Sequence, residues 1–273
     1  MKHNAANITA ISLLLIPALL TPCSCDIFDT HPYDVNFSGE RNINATRIAL
    51  IEEQFSEKDS LNIAIISDTH GSYSDAADII DDINKRNFDF VIHLGDLTDT
   101  GTTTEFEWAR DLLDKLQIPY VALIGNHDFL GTGEETYLKM FGQMDFSFIA
   151  ANTKFLCVNT NATEYEDQNQ VPDLDFIQSE ASNDCNSFSQ TVVCMHARPF
   201  SDQFQNNLTD SFHTCIKQMP RLLLCLNGHD HQFQNDDLFA DGIIYYGCTC
   251  AEKRGYLILT ITPNGYEIQT VNL

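Results

Sequence analysis

The sequence predicts an α/β protein with two sheets flanked by helices, and three patterns carry that prediction. Five short apolar runs, Ile63 to Ile66, Phe90 to Leu94, Val121 to Ile124, Thr191 to Cys194 and Leu222 to Leu226, each end in a polar motif. Such uninterrupted apolar runs suit strands buried on both faces. Strand-like and helix-like segments alternate through the first half, which implies parallel pairing with right-handed crossovers. The tail is strand-rich, and the strand count calls for a second sheet.

In order, the pattern predicts strand 61–68, helix 73–87, strand 90–94, helix 103–116 and strand 120–124, a βαβαβ series. A helix at 134–141, strands near 146–150 and 153–159, and a helix at 174–183 come next. Runs at 191–195, 222–227, 242–247, 254–261 and 265–271 complete the strands. With 273 residues, 43% hydrophobic and 20% charged, the chain can bury the core of one sizeable domain. No internal repeat or low-complexity tract interrupts it.

The N-terminal region reads differently. Lys2 gives a small positive start, Ile8 to Leu20 is apolar and broken by Pro17, and Thr21-Pro22-Cys23-Ser24-Cys25-Asp26 follows. That run is too short to span a bilayer and fits the apolar segment of a secretory signal. The expected division is a signal peptide at 1–25, a tether and N-terminal extension at 26–60 with room for a short helix from Asn44 to Gln54, and the folded domain at 61–273. A cysteine after the apolar segment resembles a bacterial lipoprotein signal, with Cys25 preferred over Cys23 as the lipidated residue. The expected location is therefore the bacterial cell envelope, with the membrane contacted through a lipid anchor.

Nine cysteines include seven beyond this leader, an odd number that leaves at least one unpaired in a monomer. Cys157, Cys194 and Cys225 lie in apolar runs and read as buried thiols, whereas Cys185, Cys215, Cys248 and Cys250 are the candidates for disulfides. Net charge is −24. No Lys/Arg stripe is present to displace counterions, so nucleic acid is not an expected partner. A small phosphoester stays compatible, since two divalent ions make a site locally positive. The sequons at Asn7, Asn36, Asn44, Asn161 and Asn207 matter only in a eukaryotic secretory route.

The polar motifs ending the runs hold the chemistry: Asp68-Thr69-His70, Gly95-Asp96-Leu97-Thr98-Asp99, Gly125-Asn126-His127-Asp128, Met195-His196 and Gly228-His229-Asp230-His231. Carboxylate, imidazole and amide donors occur together without thiolate, a mixture suited to Mn, Fe, Zn or Ni rather than to Mg or Ca. Seven candidate ligands, Asp68, His70, Asp96, Asn126, His196, His229 and His231, are too many for one ion. Two divalent metal ions sharing a carboxylate accommodate them. Ligands at the carboxyl ends of strands meet along one sheet edge, where open α/β folds place their sites. His93 reads as a packed strand residue, Asp128 and Asp230 as supporting or solvent carboxylates, and Arg198 equally as a phosphate clamp or a surface arginine.

Asp-X-His, Gly-Asp-X-X-Asp, Gly-Asn-His-Asp, His and Gly-His-X-His, in this order and at intervals of roughly 30, 30, 70 and 30 residues, resemble the calcineurin-like metallophosphoesterase superfamily. The resemblance implies a four-layer α/β/β/α sandwich of two mixed sheets flanked by helices. It implies one ion on Asp68, His70 and His231, a second on Asn126, His196 and His229, Asp96 bridging, and a hydroxide between the ions attacking phosphorus. His127 is then the proton donor to the leaving oxygen, with Asp99 fixing its tautomer. The function so implied is hydrolysis of a small phosphoester. The alternatives are a phosphodiesterase for nucleotide-type or phospholipid head-group diesters and, from another class, a metal-stabilised binding lipoprotein without catalysis. The segments Asn159 to Asp184 and Arg198 to Pro220, with Phe200, Phe204 and Phe212, are expected to wall the pocket.

Overall fold

The computed structural model describes residues 34–165, 170–183 and 187–273. The signal peptide and lipidation expectations, and Cys185, lie outside the described residues. The first sheet has the order β11-β10-β1-β2-β3. Its parallel centre is β1 (Leu61–Ile66), β2 (Phe90–His93) and β3 (Tyr120–Ala122), and it is extended antiparallel by β10 (Gly255–Thr262) and β11 (Gly265–Asn272). The second sheet, β4-β5-β6-β7-β9-β8, contains β5 (Thr153–Val158), β6 (Gln190–Met195), β7 (Leu222–Asn227) and β9 (Tyr245–Gly247) in parallel, between antiparallel edges β4 (Phe146–Ala150) and β8 (Gln234–Asp236).

Alternation along each strand separates three cores. On β1, Ile63 and Ile65 point between the sheets with Phe90, Ile92, Phe155 and Val192. Ala64 and Ile66 instead meet the outer helices with Ile79, Ile80, Phe106 and Tyr137. On the second sheet, Leu156, Val158, Val193 and Met195 pack outward against Ile177, Phe212 and Ile216. The helices are α1 (Ile43–Phe55), α2 (Tyr73–Ile83), α3 (Thr103–Leu113), α4 (Gly133–Met140), α5 (Leu174–Ser182) and α6 (Thr209–Ile216). Two mixed sheets flanked by helices form the four-layer sandwich.

Local chemistry explains where elements begin and end. α3 starts at a capping box, in which Thr102 Oγ1 accepts from the Glu105 amide and Glu105 accepts from the Thr102 amide. Asp173 caps α5 by accepting from the Phe176 amide. The ladder of β1 stops at Ile66 rather than at 68 because Asp68 adopts φ 51°, which no strand continues. The helix expected within Asn44 to Gln54 is present as α1. It belongs to the packed body, since Ile43 and Ile51 are fully buried in two different cores and Asn44 bonds the backbone of Ala122 in both directions. Two elements escaped the sequence pattern. β8 is polar and forms only by pairing with β9, and α6 is short and lacks a side-chain cap.

The cysteines correct one expectation. Cys215, Cys248 and Cys250 are free and buried, as are Cys157, Cys194 and Cys225, so among the described residues no disulfide forms. Cys248 fills space between the sheets and directs its thiol at the Ile65 carbonyl. Asn44 and Asn161 are buried and hydrogen-bonded to backbone, which removes them as glycan acceptors. Among the described residues no helix is long and apolar enough to cross a membrane.

Candidate metal centre

Because β1, β2 and β3 run parallel in one sheet and β6 and β7 in the other, the loops leaving their carboxyl ends meet at one edge of the sandwich. All seven predicted ligands arrive there. Five of them, Asp68, His70, Asp96, His229 and His231, sit at positive φ between 44° and 65°. Asn126 is right-handed at φ −68°. Non-glycine residues in the left-handed region carry a conformational cost and gather where surrounding structure and function over-determine them.

The donors form two clusters with one shared member. In the first, His231 Nε2 is 3.2 Å from Asp68 Oδ1 and 3.1 Å from His70 Nε2, and His70 Nε2 is 3.5 Å from Asp96 Oδ2. In the second, His196 Nε2 is 3.2 Å from the same Asp96 Oδ2 and 3.0 Å from Asn126 Oδ1, to which His229 Nδ1 lies at 3.1 Å. The other Asp96 oxygen accepts from the His127 amide at 2.8 Å. Asp68, His70, Asp96 and His231 on one side, and Asp96, His196 and His229 on the other, each present ligand atoms close enough for one ion.

The hydrogen-bond polarity of His196 tests whether a cation fits. Its outer Nδ1 donates to the Leu94 carbonyl at 2.9 Å, so the neutral ring turns a lone pair inward from Nε2. That lone pair meets the oxygens of Asp96 and Asn126, which are acceptors as well. Three converging acceptors need a positive charge among them. A proton can supply it, and although burial alone pushes His196 down, Asp96 raises it to about 9. A divalent ion supplies the charge equally well, and the oxygen and nitrogen donors suit one. Burial pushes Asp68 and Asp96 up, yet the His231 hydrogen bond on Asp68 and the His196 charge beside Asp96 outweigh it and keep both carboxyls below their usual range.

A tightly packed frame supports the ligands. A Cβ on Gly125 would lie 2.2 Å from the Asp96 amide, so only glycine lets the two loops touch. Asp128 is fully buried and accepts from the amides of Leu97, Thr98 and Gly125 and from the Thr98 hydroxyl, which ties the Asp96 loop to the Asn126 loop. His93 is the packed strand residue expected. It accepts from the Gly95 amide at Nδ1 and donates from Nε2 to Thr69 Oγ1, and burial lowers it to about 4, so it stays neutral.

His127 stands at the rim, its side chain 38% exposed. Asp99 contacts it otherwise than expected. Nδ1 donates to the Asp99 backbone carbonyl at 2.8 Å, while the carboxylate stays 3.8 Å away. The carbonyl therefore fixes the tautomer, and the carboxylate lies beyond hydrogen-bond distance. Beside it lies a cleft of about 280 Å³ lined by Asp68, His70, Ser72, Asp99, His127, His231, Cys250 and Glu252. The expected walls differ, because Phe204 and Phe212 are buried in the outer core and only Phe200 is exposed. Arg198 is engaged by Asp230, with Nε 2.6 Å from Oδ2. Sequence reasoning missed Asp202, whose Oδ1 lies 2.8 Å from His229 Nε2. It sits in an irregular loop 27 residues away and offers no pattern to find it by.

On the shared edge of an α/β/β/α sandwich, the donors form clusters whose geometry is consistent with a dinuclear divalent-metal site. The sequence profile of the calcineurin-like phosphoesterases matches residues 61–233, and the chain belongs to that family. A 3',5'-cyclic-nucleotide phosphodiesterase of Nostoc sp. (strain PCC 7120) is 28% identical over 156 residues, which cover 54% of this chain and 58% of that protein. The match thus spans little more than half of the relative. Among solved structures, a dimetal phosphatase from Danio rerio superposes with a TM-score of 0.62 at 12% identity, covering 78% of this chain and 98% of the other. GAP50, the anchor in the inner membrane complex of Plasmodium, gives 0.58 at 11% identity over 79% and 85%. At those identities the likeness concerns the fold.

Proposed function

We propose that this protein is a metal-dependent phosphoester hydrolase that prefers small phosphodiesters to phosphomonoesters. The observation that carries the reading is Asp96, one oxygen of which lies within reach of imidazoles from both clusters while the other is pinned by a backbone amide. Bound there, two divalent ions supply an acidified water for attack on phosphorus and offset the charge that builds on the phosphoryl oxygens. The residues of the chain do the rest. His127, its Nδ1–H committed to a carbonyl, has Nε2 available to deliver a proton to the leaving oxygen.

The preference for diesters follows from charge. No Lys or Arg is among the residues lining the cleft, whereas Asp99 and Glu252 are. A dianionic monoester meets more repulsion there than a monoanionic diester does. The Nostoc relative is a cyclic-nucleotide phosphodiesterase, which agrees with this reading. The test is hydrolysis of bis-p-nitrophenyl phosphate and p-nitrophenyl phosphate by metal-stripped protein reconstituted with Mn, Zn, Fe or Mg, with Asp96→Asn as control. The diester should turn over faster and Asp96→Asn should lose both activities. Faster monoester cleavage would overturn the preference, and undiminished turnover in Asp96→Asn would overturn the mechanism.

We infer further that the chain is exported and lipid-anchored in a bacterial envelope, on the strength of Lys2, the apolar run Ile8 to Leu20 and Cys25. Incorporation of a labelled fatty acid that disappears in Cys25→Ala and Cys23→Ala/Cys25→Ala would support it. Label retained in the double variant would refute it.

A further inference from the structure

We propose that Asp202 is a positioning residue for the second ion, holding His229 in the tautomer and orientation that present Nδ1 to the metal. The inference rests on the two-ion reading of the site. A carboxylate only accepts, so the 2.8 Å contact from Asp202 Oδ1 places the proton of His229 on Nε2. The lone pair is then on Nδ1, which faces Asn126 Oδ1 at 3.1 Å and joins the cluster with Asp96 and His196. Both imidazoles of the second cluster are thus turned inward by an acceptor behind them. For His196 that acceptor is a buried strand-end carbonyl. For His229 it is a side chain 88% exposed to solvent.

An exposed carboxylate can do this only if its loop is held, and the loop is tied on several sides. At its start, Arg198 is paired to Asp230, the neighbour of His229. Phe200 adopts φ 70°, and its amide donates to Asn206 Oδ1 at 2.9 Å while Asn206 Nδ2 donates to the Ser201 carbonyl at 2.8 Å. Beyond Asp202, the Gln203 carbonyl accepts from the Ala162 amide at 3.0 Å. These contacts aim Asp202 at one ring nitrogen. In the first cluster no carboxylate stands at hydrogen-bond distance behind an imidazole among the described residues, the Asp99 carboxylate lying 3.9 Å from His70 Nδ1. The two ions therefore differ in how they are retained, and the second depends on a surface loop.

Carboxylates behind a ligating imidazole tune metal affinity by about 10–100-fold. The experiment titrates the metal-stripped full chain with Mn(II) by calorimetry, without substrate, and counts bound metal after desalting. Asp202→Ala should weaken the second ion by about 10–100-fold and leave the first unchanged. Asp202→Asn, whose amide oxygen still accepts from Nε2–H but bears no charge, should fall between the parent and Asp202→Ala, a graded rescue that a merely structural loop residue would not give. Equal thermal midpoints of the three metal-stripped proteins would show that the loop still folds. An unchanged second-ion affinity in Asp202→Ala, equal weakening of both ions, or a parent that binds a single ion would overturn the proposal. Since binding is read without turnover, a protein that binds two ions but cleaves no phosphoester would sink the hydrolase reading and leave this one standing.

Discussion

Gly228→Ala probes how closely the loops of the two sheets are packed around the ligands. A Cβ at this position lies 2.1 Å from Ser67 Oγ, 2.8 Å from Asp68 Oδ2 and 3.3 Å from His196 Nδ1. Non-bonded heavy atoms prefer separations of about 3.5–4 Å, so the first two contacts are deep overlaps. The backbone cannot withdraw easily, because the Gly228 amide donates to the His196 carbonyl at 3.0 Å. Overpacking of this kind costs about 1–3 kcal/mol, and the tether argues for the upper end. For a domain of this size that corresponds to a fall of roughly 5–10 °C in Tm. The displaced Asp68 should also weaken the first ion. Ser67→Ala removes the worst overlap and leaves the contact with Asp68. The double variant should therefore regain stability, with a coupling of about 0.5–3 kcal/mol, yet still bind the first ion poorly. Differential scanning calorimetry of the metal-stripped proteins and metal titration read the two effects separately. Strict additivity of the two substitutions, or a Gly228→Ala protein that melts and binds metal like the parent, would refute the packing argument.

Three further outcomes are expected. His127→Ala should lose about 10²–10⁴ in kcat, more for an alkyl leaving group than for p-nitrophenolate, and equal losses for both would remove it as the proton donor. His196, raised to about 9 by Asp96 against the effect of burial, makes a contribution to metal-free stability that is full below its ordinary value of 6.5 and disappears as pH rises through about 9. Denaturant melts of the metal-free protein should show this decline, at most about 1.4 kcal/mol per pH unit, and a flat profile would count against the pairing. Lys154 is 1% exposed and pairs with Glu180 at 2.7 Å, so Glu180→Ala, which strands the ammonium, should cost about 3–5 kcal/mol while the double variant Lys154→Met/Glu180→Leu stays near neutral, and an equal loss in both proteins by denaturant melts would be wrong for a buried ion pair.

The clustered donors were legible because their spacing survives folding. Each follows an apolar run that can only be a buried strand, and parallel strands of one sheet must release their loops on the same side. The same logic read His93 correctly, since a histidine inside such a run points into packing rather than into the site. It left two alternatives for Asp128, a supporting or a solvent carboxylate, and the structure decides for the first: four donors surround it, and they come from two loops about 30 residues apart. The pocket walls were misplaced because aromatic residues in a polar segment give no sign of which way they face. Phe204 and Phe212 went into the outer core with Ile177 and Ile216, and Phe200 stayed outside.

By itself the sequence determined the α/β class, the order of most strands and helices, and the identity of the donor set, because each of these is written in local periodicity and ligand type. Only the tertiary structure decided that Asp96 faces both clusters, that five of the clustered donors take left-handed backbone conformations, that Asp99 reaches His127 through its carbonyl, and that Asp202 stands behind His229. Those features depend on contacts between loops distant in the chain, and such contacts are fixed by the packing of the two sheets rather than by any residue's neighbours in sequence.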